Sequence, residues 1–176
     1  MTGQPKPGYK SLQLWVILLT PLVVISLSTL LYYSGLLHPS TTTNHGELLE
    51  PVVDIADLGI EKDDSHWWLL TVAPDGCDQA CEEQLFWVQQ IHIALGRESP
   101  RVRRRVLTIE DVGDLTDDYP GLEALTGEFD ALPMDYPVQL FIADPLGNIM
   151  MKFGTENEYE EVMDDLKILL DRSTIG

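Results

Sequence analysis

Apolar and polar positions divide this chain into two unequal parts. From Leu14 to Leu37 no charge interrupts a run dominated by Leu, Val and Ile. About 20 residues of helix cross the hydrocarbon core of a bilayer, so the run predicts a single membrane-spanning helix over residues 14–37, behind a short tail at 1–13. Pro21 lies inside it, and lipid-embedded helices tolerate proline better than soluble ones. Trp15 at one end and Tyr32 and Tyr33 at the other suit the two interfaces. A cleaved leader has a shorter apolar stretch, roughly 7–15 residues, and a small-x-small cleavage site. "YYSGLLHPS" offers no clean site of that kind, so the anchor is expected to remain.

Beyond the anchor the pattern changes. Residues 38–64 read as a tether: "HPSTTTNHGELLEP" is polar and Thr-rich, and "VVDIADLGIEKDDS" fits either an edge strand or coil. A domain is expected over 65–176. "HWWLLTVA" (66–73) is a continuous apolar run of strand length, as in a strand buried on both faces. "PDG" turns the chain. From Asp78 the residues Leu85, Phe86, Val88, Ile91, Ile93 and Leu95 follow helical spacing, and Gly96 ends the helix.

"VRRRVLTI" (102–109) reads as a second strand, followed by an acidic excursion in which "YPGLEALTGEF" is expected to hold a short helix. "VQLFIAD" and "IMMKF", joined by "DPLGN", form a hairpin. "NEYEEVMDDLKILLDRS" is an amphipathic helix with Tyr159, Val162, Met163, Leu166, Leu169 and Leu170 on or near one stripe. Trp67, Trp68, Phe86 and Trp87 are expected in the core or at its edge. The order is β-α-β, a connection, then β-β-α: an α/β chain with a thioredoxin-like domain behind one N-terminal transmembrane helix.

Charge orients and restricts this arrangement. The formal net charge is −18. All 29 Asp and Glu lie beyond the apolar run, while Lys6 and Lys10 precede it. The positive-inside rule therefore keeps the N-terminus in the cytoplasm and exports the domain. In a bacterium that places it in the periplasm, anchored to the inner membrane, where disulfides persist. So acidic a domain excludes an extended nucleic-acid surface. The one basic cluster, "RESPRVRRRV", is expected to be a solvated helix end and strand edge; docking to an acidic partner is the sharper alternative.

The only two cysteines, Cys77 and Cys81, fall between the first strand and its helix. A reactive dithiol, half of a metal clamp, a structural staple and coincidence all remain open at this point. Helix N-termini stabilise thiolates, and residues at i and i+4 are close enough for a disulfide. Such a bond closes a very short loop and adds little stability by chain entropy. Asp75, Asp78, Glu82 and Glu83 surround the pair and oppose thiolate formation, so a moderate thiol is expected.

With C-x3-C placed after the first strand of this order, the sequence resembles the Sco/SenC family. The likeness extends over about residues 65–172 and includes the anchor, "PDGCDQAC" and "DYPVQLFIADPLGNIMMKFG". The resemblance implies a membrane-anchored thioredoxin-fold protein assisting assembly of the copper centre of cytochrome c oxidase. Cys77 and Cys81 would be its redox residues or Cu(I) ligands. It also implies partners: the membrane, and a respiratory oxidase subunit or copper assembly factor.

Two departures qualify the carry-over. Copper-binding members add a histidine shortly before the late strand, and "LPMDYPVQLF" contains none. In its place Tyr136-Pro137-Val138 looks like the cis-proline step of thioredoxins, which implies a partner groove at Tyr136 and Pro137. Met134 is the best-placed substitute ligand, because a thioether suits Cu(I). His38, His45, His66 and His92 are not expected to serve. The competing readings are a non-catalytic scaffold that docks to an oxidase subunit or assembly factor, and a general thiol oxidoreductase. Whether the chain is an enzyme stays open.

Overall fold

The computed structural model describes residues 8–33, 44–61, 65–109, 118–155 and 157–175. The chain falls into two compact units, Met1–Thr42 and Thr43–Gly176. The first contains helix α1 (Gly8–Tyr33), whose stretch Gln13–Leu31 is long and apolar enough to cross a membrane. Leu14, Ile17, Ile25 and Leu30 are all exposed. A helix apolar on every side needs lipid or other protein around it. The Thr20 and Thr29 hydroxyls donate to the Val16 and Ile25 carbonyls at 2.6 and 2.8 Å, leaving neither proton bare in hydrocarbon. The tail before Gly8, residues 34–37 of the expected span and residues 38–43 of the tether, with His38, lie outside the described residues.

The second unit is built on one six-stranded sheet in the order β1-β6-β5-β2-β3-β4. Its strands are β1 (Glu47–Asp54), β2 (Trp67–Ala73), β3 (Val102–Thr108), β4 (Leu122–Leu125), β5 (Gln139–Ala143) and β6 (Asn148–Phe153). β2 runs parallel to β3, and β3 parallel to β4. β5 is antiparallel to both β2 and β6, and β6 to β1. Helices α2 (Gln79–Ala94) and α3 (Tyr159–Arg172) cover one face, where Trp67, Leu69, Val88, Ile91, Leu166 and Leu170 pack together. The other face buries Trp68, Leu70 and Val72 under Ile55, Leu58, Ile60 and Leu132. Every residue of β2 is therefore buried, as its unbroken apolar run requires. This is a thioredoxin-like α/β fold, and the sequence-based order of elements stands.

Four local expectations change. β1, paired along β6 at the sheet edge, takes Glu47–Pro51 from the expected tether and only Val52–Asp54 from the segment left open between edge strand and coil, which continues as a short 3-10 turn at Ile55–Leu58. "GLEALTG" forms β4 and not a helix: Arg104 to Leu107 hold Leu122 to Leu125 in a parallel ladder, and ladder pairing outweighs a weak local helical preference. Residues 110–117 of the acidic excursion lie outside the described residues.

Three arginines of the basic cluster, Arg101, Arg104 and Arg105, are engaged within the unit, because β3 is not an edge, while Arg97 and Arg103 stay exposed. Arg105 lies over the Trp68 ring at 3.7 Å and donates from Nε to Glu123 at 2.8 Å. The Arg104 guanidinium donates to the Pro120 carbonyl. Arg101 donates to Glu98 and to the carbonyls of Leu170, Ser173 and Ile175, tying the chain's last residues to the head of β3. Fourth, Phe86 and Trp87 stand outside the core, 45% and 37% exposed.

One buried carboxylate fastens the start of this unit to its last helix. Asp165 of α3, 2% exposed, accepts the backbone N–H groups of His45 and Gly46 at 2.7 and 2.8 Å. Gly46 sits so close to β6 that a Cβ would come within 2.7 Å of the Met151 and Phe153 side chains. Leaving two such N–H groups without an acceptor costs about 1–3 kcal/mol. Asp165→Ala is thus expected to lower stability by that amount and to speed amide exchange along β1. Urea denaturation followed by hydrogen exchange checks this; an unchanged midpoint would mean that other contacts hold the entry segment.

Candidate functional site

β2 ends at Ala73, where the chain leaves the sheet. Pro74-Asp75-Gly76 turns it, with the Gly76 N–H donating to the Ala73 carbonyl at 3.2 Å. Gly76 takes φ +100°, a conformation glycine reaches without a Cβ clash. Cys77 follows, and Asp78 caps α2: its Oδ1 accepts the N–H groups of Ala80 and Cys81 at 3.0 and 3.2 Å. Cys77 and Cys81 are joined as a disulfide with Cα atoms 5.0 Å apart, inside the ordinary range. Cys77 is half-buried and Cys81 wholly buried. Cys81 packs with Ala73, Leu85, Val106 and Leu122, and Cys77 closes over that cluster together with Tyr119 and Val138.

The cap sets the electrostatics. A free helix N-terminus offers its first N–H groups and about half a positive charge to an anion. Here the Asp78 carboxylate already takes that position, one residue from Cys77. Asp75, Glu82 and Glu83 add further negative charge on exposed neighbours. Tyr119 reaches over the helix, its hydroxyl donating to the Glu82 carbonyl at 3.2 Å. Burial raises its pKa above the usual phenol value, helped by the charges of Glu82 and Asp118, so it stays a neutral donor.

The other residues singled out in the sequence separate into near and far. Tyr136 and Pro137 lead into β5, and the Val72–Gln139 pairing brings them to the same sheet end as the cysteines. The Tyr136–Pro137 bond itself is trans: Glu50–Pro51 is the only cis peptide among the described residues. Met134 packs against the cluster containing Trp68 and Val72, on the sheet face opposite Cys81. β2 alternation separates the two sulfurs. His66 precedes β2, at the far end of that strand. His92 donates from Nε2 to the Val102 carbonyl at 3.1 Å, also distant; burial, and then Arg104, lower its pKa. His45 faces Glu161 at 3.3 Å. Among the described residues no three His, Cys, Asp or Glu group together as a metal site.

Tyr119 is the site residue that sequence reasoning missed. It precedes a Pro-Gly turn, and nothing local reveals that the turn delivers it over the dithiol. Asp78 was visible as a carboxylate near a helix start, but its competition with the thiolate needs the cap geometry. Removing one charge at this range is worth on the order of 1 kcal/mol. Asp78→Ser keeps a capping oxygen and removes the charge. In the reduced protein it is expected to speed iodoacetamide alkylation of Cys77 about three- to fivefold at neutral pH, because the thiolate fraction rises. An unchanged rate in low salt would show that the carboxylate does not govern the thiol.

Comparison with known proteins agrees with this architecture. The Thermus thermophilus apo Sco1 structure aligns at TM-score 0.52 and 14% identity, over 74% of this chain and 99% of that one. Yeast Sco1 with copper bound aligns at 0.51 and 14%, over 74% and 94%. A thioredoxin-like protein from Porphyromonas gingivalis aligns at 0.52 and 18%, over 64% and 80%. At such identities the likeness is one of fold. No curated protein matches by sequence. The family model for the transmembrane-like, thioredoxin-like C-terminal domain matches residues 67–173, from the first residue of β2 to just past the end of α3, and the chain belongs to that family.

Proposed function

We propose that the chain is a membrane-anchored thiol–disulfide exchange protein serving assembly of the copper centre of cytochrome c oxidase. The observation that carries this reading is the Cys77–Cys81 pair at the head of α2, with one residue half-exposed and the other sealed beneath it. The oxidase enters through the Sco/SenC resemblance of the sequence. The copper bound to yeast Sco1, which shares this fold, agrees with it. The apolar run within helix α1, with Lys6 and Lys10 before it, supports an anchor with its N-terminus in the cytoplasm and the folded unit in the periplasm.

Thiol exchange at this pair needs no third group. The reduced Cys77 thiolate attacks a disulfide of the partner and forms a mixed disulfide, releasing one partner thiolate. The Cys81 thiolate then attacks the Cys77 sulfur and frees the second partner thiol, so two electrons pass to the partner and this pair is oxidised. A periplasmic dithiol donor returns it to the reduced state. Copper is cargo in this scheme. The reduced pair supplies two soft sulfur donors that suit Cu(I), and with Met134 on the opposite face a third ligand would come from the partner. The alternative is a docking scaffold whose disulfide is locked, which the four surrounding carboxylates and the depth of Cys81 favour.

Trapping experiments on the full chain in uncharged detergent separate these readings. With glutathione disulfide, Cys81→Ser is expected to accumulate a mixed disulfide on Cys77, while Cys77→Ser reacts at least about tenfold more slowly at the buried Cys81. Absence of exchange at Cys77, in either direction, would leave the scaffold. A Cu(I) competition titration runs in parallel. A tight one-to-one complex lost with either cysteine would make the chain a copper carrier in its own right.

A further inference from the structure

Phe86 and Trp87, expected in the core or at its edge, form an outward-facing stack with Tyr159. The Trp87 indole lies flat on the Tyr159 ring, with centroids 4.9 Å apart and planes 6° from parallel. Phe86 meets Trp87 edge-on at 5.3 Å. Tyr159 is 39% exposed, comparable to Trp87. Beside the stack a cleft of about 550 Å³ opens between α2 and α3, floored by Ile91, Leu140, Phe153 and Val162. Glu83, Glu158 and Glu160 stand on its rim.

The cleft lies at the dithiol end of the sheet. Leu140 and Phe153 are paired, one step inside the Val72–Gln139 pair that precedes the cysteine turn. Ala80, which lines the cleft, directly precedes Cys81. An occupant of the cleft therefore continues towards Cys77.

Charge decides the occupant. Three carboxylates line the cleft and no Lys, Arg or His does so among the described residues. The N-termini of α2 and α3 converge here, but together they contribute only about one positive charge. The mouth is net negative, on a chain of net charge −18. An anionic lipid surface is repelled, and so is a second copy of the chain. What fits is an apolar side chain seated between the helices, flanked by Lys or Arg that meet the rim and the aromatic edges.

We propose that the α2–α3 cleft docks a short basic–apolar segment of the partner protein and so presents that partner's cysteines to Cys77. The identity of the partner as a cysteine-bearing chain rests on the exchange function proposed above; the docking itself does not.

The test uses the full chain in uncharged detergent with both cysteines changed to Ser, so that no covalent step contributes. The probe is a dansyl-labelled peptide alternating Lys and Leu around a central Ser, followed by fluorescence anisotropy; its Glu-for-Lys counterpart is the control. The Lys peptide is expected to bind in low salt and the Glu peptide not to. Trp87→Ala weakens binding about tenfold. The pair Glu83→Gln and Glu160→Gln, two exposed positions that leave the fold alone, weakens it about five- to tenfold and flattens its salt dependence. Equal binding of the two peptides, or undiminished binding by the Gln variants, would overturn the proposal. So would undiminished binding by Trp87→Ala. Because the cysteine-free chain reads docking alone, and glutathione trapping on the cysteine-bearing chain reads exchange alone, either idea can fail without the other.

Discussion

β2 is buried along its whole length, and the site depends on that burial. A strand with helices on one face and the 55–60 segment on the other has no freedom to slip in register, since a shift by one residue would exchange its two apolar faces. Trp68, Leu70 and Val72 belong to one cluster and Trp67 and Leu69 to the other. The strand can end only where polar turn residues begin, at Pro74. The carboxyl end of a central strand followed by a helix N-terminus is where open α/β sheets gather their ligands. The cysteines stand there because the sheet allows the chain to leave at that point and the Gly76 turn aims it into α2.

The arginines show a different use of the same sheet. Arg104 and Arg105 are 6% and 2% exposed, an unusual place for cations unless they are paired. Arg105 succeeds because Trp68 on the neighbouring strand offers an aromatic face and Glu123 on the other neighbour offers a carboxylate. A planar guanidinium can satisfy both at once, which an ammonium cannot. The pairing also helps to hold β4, a strand too short to pair strongly by backbone bonds alone, and β4 delivers Leu122 to the cluster beneath Cys81.

This contrast explains what was legible in the sequence. The order of the central strands and two domain helices could be read because each is announced by its own residues: an unbroken apolar run at 66–73, helical spacing after Asp78, a D-P-x-G turn before 149. The position of Cys77 and Cys81 followed from that order. What could not be read depends on neighbours distant in sequence. Nothing near "RRR" announces Trp68, nothing near "GLEALTG" announces the ladder with β3, and nothing near Tyr119 announces the dithiol. Phe86 and Trp87 fail for another reason. Cys81, Leu85, Val88 and Ile91 already fill the buried stripe of α2, so their adjacent aromatic neighbours are turned outward, and only the angle of α3 reveals that Tyr159 meets one of them.

The acidic ring around the dithiol and the acidic rim of the cleft are parts of one field. Asp78 occupies the helix terminus that would otherwise stabilise a Cys77 thiolate, and Glu83, two residues beyond Cys81 in α2, lines the cleft. In the reduced protein these charges would oppose a Cys77 thiolate. A basic segment seated between α2 and α3, as proposed, would bring compensating cations close to Glu83 and the first turn of the helix, inside a screening length of roughly 8 Å. The negative potential at Cys77 would then weaken when a partner of the right charge is bound, and the thiolate fraction would rise with it. Recognition and activation would be coupled by the same carboxylates, so a passing disulfide without basic neighbours would meet a slower nucleophile. On this view the carboxylates that suppress the isolated dithiol are what make its reactivity selective.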